Sequence, residues 1–242
     1  MATKSHKKKH MNKVLKTVLI ILGTLAGVLL IFIMVYAGSI LKLRKNAKAV
    51  TSGVTADTFR QIETSIVYDI DGEEITSLSG TKDLHYISSS DMPDILKRAF
   101  VITEDRDFYS HHGVDLSAII RAAVANVKHN AIKQGASTIT QQLAKNMFLT
   151  QDVTWERKIT EMFAAMELEK KFSKEQILEF YINNIYYANG YYGIEAAAQG
   201  YFGKSVNDLS LSQLIFLVAI PNNPSKYRLS SEALRKTQDL MG

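Results

Sequence analysis

Residues 104–113 of this chain read Glu-Asp-Arg-Asp-Phe-Tyr-Ser-His-His-Gly, residues 135–146 read Gly-Ala-Ser-Thr-Ile-Thr-Gln-Gln-Leu-Ala-Lys-Asn, and residues 157–161 read Arg-Lys-Ile-Thr-Glu. The first segment is a polar block, the second is a polar helix start followed by a lysine, and the third places a cation and a carboxylate four residues apart. Carboxylate, hydroxyl, amide and cationic side chains of this kind can take part in catalysis. Their concentration in three short segments predicts a functional site between residues 104 and 161.

The sequence around these segments predicts a mainly α domain. Pro93 lies in the first turn of a helix that Ser90 or Asp91 caps, and this helix delivers Glu104 at its end. Further helices are predicted at Leu116–Val127, from Ser173 through Tyr181, and at Leu209–Ile220. Another helix is predicted to begin at a Ser137 cap, with Ile139, Leu143 and Met147 repeating every four residues. A helix that begins at Thr154 is predicted to face inward with Ile159, Met162, Phe163 and Met166. Before them, β-branched residues on both sides of Asp71-Gly72 predict a small N-terminal β-hairpin, with strands at 66–70 and 73–78.

The first part of the chain has a different composition. No charged residue occurs from Thr17 to Leu41, a stretch that would span roughly 37 Å as a helix. We expect a basic cytoplasmic tail at 1–16, a single transmembrane helix at 17–41, a juxtamembrane linker at 42–62 and one domain at 63–242. A cleaved signal peptide is the competing interpretation, but its apolar core would usually run about 7–15 residues. Lysines on both sides of the span leave only a slight bias towards a cytoplasmic N-terminus.

The charge distribution argues against one class of function. The net charge is +5, from 29 Lys and Arg against 24 Asp and Glu, but ten of the basic residues and none of the acidic ones lie in residues 1–48. The rest of the chain is therefore mildly acidic, which disfavours a nucleic-acid-binding protein and favours contact of the basic tail with anionic lipid. The absence of cysteine excludes disulfides and thiolate metal sites.

Glu104 is the first candidate for catalysis. It lies between an apolar helix and the aromatic pair Phe108-Tyr109, where burial would raise the pKa of a carboxyl towards neutrality, as a general base requires. A solvated helix terminus explains the same residues. His111 and His112 are adjacent and have no third ligand at helical spacing, so a structural use is favoured over a metal site.

The second and third segments suit an anionic ligand. A helix that opens at residues 135–138 presents N–H groups and hydroxyls to a phosphate, and Lys145 can share that face. A capped structural helix with a solvated lysine explains the same pattern, and a surface ion pair explains Arg157 and Glu161. Asn183 lies among tyrosines that suit either a sugar groove or a core.

In this order and spacing, the motifs closely resemble the peptidoglycan glycosyltransferase family, the lysozyme-like transglycosylase domain of class A penicillin-binding proteins and monofunctional wall transglycosylases. The resemblance covers about Ile66 to the end of the chain. It rests on five motifs, at 104–113, 135–146, 157–161, 181–193 and 217–221. The fourth departs from the family pattern at Ile182, Tyr187 and Ala188, and the fifth departs at Ile220 and Asn222.

The resemblance implies an enzyme that polymerises lipid II into β-1,4 glycan strands and releases undecaprenyl pyrophosphate. Glu104 would be the general base for the 4-hydroxyl of the acceptor, and Glu161 would orient nearby cations or the donor. The implied substrate-binding residues are Ser137, Thr138, Gln141, Gln142, Lys145, Arg157, Lys158 and Asn183. No cofactor would be required, and a role for Mg²⁺ or Mn²⁺ is left open.

The implied partners are lipid II, the growing lipid-linked glycan, the membrane, and proteins of cell-wall synthesis or division. The catalytic domain would lie outside the cell membrane and the N-terminus in the cytoplasm, and the hairpin favours a bifunctional enzyme whose transpeptidase lies beyond these residues. A lysozyme-like hydrolase or lytic transglycosylase is the alternative, but it has little use for the cations Lys145 and Arg157. A third possible function is that of a catalytically silent, membrane-tethered scaffold, which would need neither Glu104 nor the polar helix start.

Overall fold

The computed structural model of the protein describes residues 3–60, 65–68, 74–78, 86–129, 135–150 and 152–225. Its helices are α1 (Thr3–Ser52), α2 (Ala56–Arg60), α3 (Asp94–Glu104), α4 (Leu116–His129), α5 (Ile139–Phe148), α6 (Trp155–Lys171), α7 (Lys174–Asn184), α8 (Ile194–Phe202) and α9 (Leu211–Ala219), with a 3-10 turn at Val206–Asp208. The prediction of a mainly helical chain is confirmed.

A pair of antiparallel strands lies between α2 and α3. β1 (Ser65–Tyr68) pairs with β2 (Glu74–Leu78), with Ser65 opposite Leu78 and an irregularity in register between Val67 and Tyr68. The predicted Asp71-Gly72 turn lies outside the described residues. The turn of the hairpin therefore stays a prediction.

The chain divides by its internal contacts into two units, Met1–Lys45 and Asn46–Gly242. In the first unit, α1 exposes most of its large apolar side chains between Leu15 and Leu41. Within the described residues no single helix is long and apolar enough to cross a bilayer, but Leu15–Ile31 and Met34–Ser52 meet the criterion together across a bend of 41°. The single transmembrane helix at 17–41 therefore stays a prediction.

The second unit begins with the last turns of α1. Ala47 and Thr51, one turn apart, are buried, and Lys171 Nζ donates to the carbonyl oxygens of Thr51 (2.5 Å) and Ser52 (2.8 Å). The ring of Phe59 in α2 stacks on Phe180 with 4.2 Å between centroids. Residues 46–60, predicted as part of a linker, are thus largely helical and join the core. Their average composition is polar, but a small pair at helical spacing and one aromatic ring are enough to pack.

Helix α7 lies at the centre of the second unit. Every residue from Ile177 to Asn184 is buried, as is typical of a helix surrounded by protein on all sides. α5 packs against both α6 and α7, while α3 packs against α9. This arrangement brings the end of α3 and the start of α5, which carry the first two motifs, to the same core.

Most helix starts follow their caps, with two corrections. Neither Ser90 nor Asp91 caps α3, which begins at Asp94 with Pro93 at its N-cap and no side-chain cap hydrogen bond. Thr154, Ser173 and Ser210 cap α6, α7 and α9, and the hydroxyl of each accepts from a backbone N–H in the first turn. Thr138, not Ser137, caps α5. The reason is that Gln141 stands three residues after Thr138 and its side chain closes the capping box.

The buried face of α6 also differs from the prediction. Its buried residues are Thr160, Glu161, Ala164, Ala165 and Leu168. Of the residues predicted to face inward, Ile159, Met162 and Phe163 are half-buried, with Phe163 against the core, whereas Met166 is exposed. The loop after α3 presses against this face: Gly113 has φ +91°, and a Cβ there would lie 2.8 Å from the carbonyl carbon of Ala165. Only glycine fits such an approach without strain.

Candidate active site

Glu104, the last residue of α3, is partly buried and receives two amide hydrogen bonds. Gln142 Nε2 donates to Oε2 at 3.0 Å, and Asn222 Nδ2 donates to Oε1 at 2.7 Å. Burial raises the pKa of the Glu104 carboxyl above its ordinary value, the charge of Asp105 adds to the rise, and the Gln142 hydrogen bond opposes it. The carboxyl is therefore a better proton acceptor than an exposed glutamate.

A buried tyrosine orients the amide of Gln142. Tyr181 of α7 has no exposed surface, and its hydroxyl donates to Gln142 Oε1 at 3.1 Å. Because the ionised carboxylate of Glu104 can only accept, the amide nitrogen of Gln142 faces Glu104, and the amide oxygen is left to accept from Tyr181. Burial first, and the nearby charge of Glu104 second, raise the pKa of Tyr181 well above 10.0, so the hydroxyl keeps its proton.

Asp105, next to the candidate base, has a structural task. Its buried carboxylate accepts from the backbone N–H of Ile139 at 3.0 Å and lies 2.9 Å from His111 Nε2. Gly113 N–H donates to the other ring nitrogen of His111, so Nε2 carries the hydrogen that Asp105 accepts. The pair thus ties the loop after α3 to the start of α5. In the described part of the chain no group of three His, Asp or Glu residues forms a metal site.

Glu161 of α6 holds two cations beside the start of α5. Its side chain is 2% exposed, Arg157 Nη1 donates to Oε2 at 2.5 Å, and Lys158 Nζ donates to Oε1. Lys158 Nζ also donates to Ser137 Oγ at 2.7 Å. Arg157 Nε is buried and has no hydrogen-bond partner within the described residues. Arg157 and Lys158 therefore form a partly exposed pair of cations with a buried countercharge beneath it.

α5 connects the two carboxylates. Gln141 Nε2 donates to Glu161 Oε1 at 3.3 Å, and the next residue, Gln142, donates to Glu104. Consecutive side chains on an α-helix point about 100° apart. Glu104 and Glu161 therefore lie against neighbouring sides of the first half of α5, and the structure brings the predicted base and the predicted cations to one helix.

The other predicted residues divide into three cases. Thr138 is 2% exposed, and its hydroxyl donates to the carbonyl oxygen of Gly113 while it caps α5. Lys145 is partly exposed on α5, and no acidic side chain among the described residues pairs with it. Asn183 is fully buried, and its amide bonds both backbone groups of Ile87. These contacts assign Asn183 to fixing the segment before α3 rather than to touching a sugar.

The sequence did not single out Tyr181 as a partner of Gln142 or Asn222 as a partner of Glu104. Both contacts join residues far apart in the chain, so no local pattern indicates them. A cavity of about 320 Å³ lies elsewhere, lined by residues that include Lys97, Tyr109 and Glu175. No predicted site residue lines it, so the charge arrangement around α5 identifies the site instead.

A family model described as transglycosylase matches residues 71–241, the range that holds every residue of this site. The chain belongs to the transglycosylase family. It is similar to penicillin-binding protein 1A of Aquifex aeolicus, with 43% identity over 201 residues that cover 83% of this chain and 28% of that protein. It is also similar to penicillin-binding protein 4 of Bacillus subtilis, with 42% identity over 167 residues that cover 69% of this chain and 27% of that protein.

The crystal structure of penicillin-binding protein 1A from Haemophilus influenzae matches with a TM-score of 0.35 and 22% identity, over 74% of this chain and 17% of that one. The chain thus spans about a quarter of the length of the curated relatives it matches. Glu104, Glu161, Arg157 and Lys158 of this chain all lie within the range that the family model matches.

Proposed function

We propose that this protein is a membrane-anchored peptidoglycan glycosyltransferase that polymerises lipid II into β-1,4 glycan strands and releases undecaprenyl pyrophosphate. One observation carries the proposal: α5 holds a carboxylate of raised pKa on one side and two cations with a buried countercharge on the neighbouring side. Membership of the transglycosylase family supports the same reaction type.

Glu104 acts as the general base. It takes the proton of the acceptor 4-hydroxyl as that oxygen forms its bond to the anomeric carbon of the donor, and the bond from that carbon to the pyrophosphate oxygen breaks. The partial burial of Glu104 matches its proton affinity to this task. Each carboxylate oxygen accepts one amide hydrogen bond and retains a lone pair for the acceptor hydroxyl.

Arg157, Lys158 and Lys145 stabilise the leaving diphosphate. Negative charge grows on the phosphate oxygens in the transition state, and fixed cations stabilise it without having to reorganise. Glu161 is a positioning residue in this scheme, because its carboxylate is fully engaged with Arg157, Lys158 and Gln141. Ser137 positions Lys158 in turn.

The membrane part of the proposal rests on two apolar surfaces. The first is in α1, where the apolar stretches Leu15–Ile31 and Met34–Ser52 meet at a bend. The second is on α4, which exposes Leu116, Ile120 and Val124 on one helix face. An enzyme with lipid-linked donor and acceptor has a use for both. We place its N-terminus in the cytoplasm, its catalytic domain outside, and proteins of cell-wall synthesis or division among its partners.

The test is polymerisation of lipid II by the purified chain in detergent, followed as glycan length on gels. A positioned base contributes about 10²–10⁴-fold, so Glu104→Gln is expected to lose polymerisation by that factor. Asp107→Asn is the matched control. Asp107 is an exposed carboxylate three residues after Glu104, and its ion-pair partner Arg121 is also exposed. An undiminished rate in Glu104→Gln contradicts the assignment of the base.

The same preparation separates the alternative enzyme class. A lysozyme-like hydrolase or lytic transglycosylase would consume finished glycan and leave lipid II unchanged. The observation that disfavours it is the pair of cations around Glu161, for which glycan cleavage offers no leaving diphosphate. If the protein consumed only finished glycan, a hydrolase or lytic transglycosylase would replace the proposed glycosyltransferase.

A further inference from the structure

Asn222 joins the far end of the domain to the candidate base. It stands two residues beyond Ile220, which caps α9, and donates to Glu104 Oε1 across 118 residues of sequence. Its nitrogen must be the group that faces Glu104, because an ionised carboxylate only accepts hydrogen bonds. At 2.7 Å this is the shorter of the two amide contacts to Glu104.

The backbone around Asn222 is held in a turn. Ile220 is fully buried, Pro221 cannot continue α9 because it lacks an N–H, and Asn223 N–H donates to the carbonyl oxygen of Ile220 at 3.0 Å. Proline is favoured at the second position of such a four-residue turn. The exposed side chain of Asn222 is therefore presented to Glu104 from an anchored backbone.

Glu104 needs donors of this kind. It lies at the C-terminal end of α3, where the helix dipole disfavours negative charge, and Asp105 is beside it. Within the described residues no cation forms an ion pair with it, so the charge of its carboxylate is met by the amides of Gln142 and Asn222.

We propose that Asn222 is a positioning residue for Glu104, whose amide keeps the carboxylate ionised and oriented for the acceptor hydroxyl; this rests on the proposed function. A donor to the ionised form favours that form. Removing the donor must therefore move the protonation of Glu104 to higher pH, while a merely structural turn residue would leave it unchanged.

The experiment measures kcat/KM for lipid II against pH, with the full chain in detergent. Asn222→Ala is expected to move the acidic limb to higher pH by about 0.5–1 unit, as the loss of one exposed hydrogen bond to a charged group predicts. The isosteric Asn222→Asp keeps the shape but sets a second carboxylate against Glu104, so its limb moves further and its rate at neutral pH falls at least about tenfold. Asn222→Gln retains a donor and is expected to recover part of the shift.

Gln199→Ala is the matched control. Gln199 is another exposed amide that donates to a carboxylate, Glu195, at 3.2 Å, so its loss should leave the acidic limb in place. An Asn222→Ala limb that coincides with the wild-type limb overturns the proposal, provided that Glu104→Gln is inactive. If Glu104→Gln still polymerises lipid II, the proposed function has failed instead, and the two failures are distinguishable.

Discussion

Replacing Glu161 by glutamine tests whether this residue is the countercharge of the cation pair. The substitution preserves shape and removes one negative charge from a side chain that is 2% exposed. Arg157 and Lys158 would then face an amide that can accept through its oxygen only, so one of the two cations meets the NH₂ group. The domain should lose stability because two neighbouring positive charges remain without their common partner.

The size of the effect follows from the exposure of the three groups. Removing one partner of a buried ion pair costs roughly 3–5 kcal/mol, whereas exposed pairs contribute about 0–1 kcal/mol. The Arg157 and Lys158 side chains are 16% and 32% exposed, so water recovers part of the loss. We expect a decrease of about 2–3 kcal/mol in the free energy of unfolding, which corresponds to about 5–10 °C in Tm for a domain of this size.

Thermal unfolding followed by circular dichroism at 222 nm measures this change. Asp107→Asn is the control, because both side chains of the Asp107–Arg121 pair are at least half exposed and its loss should leave Tm nearly unchanged. A second variant, Glu161→Gln combined with Lys158→Met, removes one of the stranded cations and should recover part of the lost Tm. A Tm within about 1 °C of wild type for Glu161→Gln would refute the reasoning, since the carboxylate would then not be balancing the cations.

Two further predictions concern the base. Tyr181→Phe removes the donor that orients Gln142, so the amide can turn its oxygen towards Glu104; we expect kcat for lipid II to fall about 3–10-fold with KM unchanged, and a wild-type kcat would show that Gln142 is oriented by other contacts. Folding raises the pKa of Glu104 above its ordinary value of 4.5, so the folded state binds this proton more tightly than the unfolded state does. The stability that this proton contributes is fully present at low pH and is lost as the pH rises through the pKa of the folded state. The Tm of Glu104→Gln minus the Tm of wild type should therefore become smaller as the pH is lowered from 7 to 4.5. A difference that stays constant over this range would contradict the raised pKa.

Local patterns predicted most of the helical framework. Ser173 and Thr154 mark helix starts because capping depends on a few neighbouring residues, and α7 and α6 begin where these caps place them. The cap of α5 was predicted one residue early, since Ser137 and Thr138 are both good caps and only the reach of Gln141 decides between them. That error is one residue long because the two competing caps lie side by side, whereas the cap predicted for α3 at Ser90 or Asp91 lies two or three residues before its N-cap, Pro93.

Burial was harder to predict than helix position. In α6 the apolar residues Ile159, Met162, Phe163 and Met166 suggested the inward face. Phe163 is half-buried against the core, but the fully buried residues include Glu161 and two alanines, and Met166 is exposed. Gly113 approaches the backbone of Ala165 closely on this face, and the two cations hold the carboxylate of Glu161. The approach of Gly113 joins a loop to a helix far along the chain, so periodicity alone cannot reveal it.

The same limit applies to the candidate site. The motif residues Glu104, Gln142 and Arg157 were identifiable from their types and order, and the structure brings them to one helix. Tyr181 and Asn222 were not identifiable as partners of this site, because each contact depends on how α7 and α9 pack. Asn183 illustrates the opposite error: an amide that suits a sugar hydroxyl suits a backbone equally well, and here it is buried against Ile87.

The adjacency of Gln141 and Gln142 has an evolutionary consequence. One residue inserted between them would swing every later side chain of α5 by about 100°, so Gln142 would leave Glu104 while Gln141 stayed on Glu161. In the proposed mechanism, a single inserted codon would uncouple proton removal by Glu104 from diphosphate binding at Arg157 and Lys158. The spacing of these two glutamines should therefore tolerate no insertion or deletion in descendants that keep the activity, although the loops around α5 remain free to vary in length.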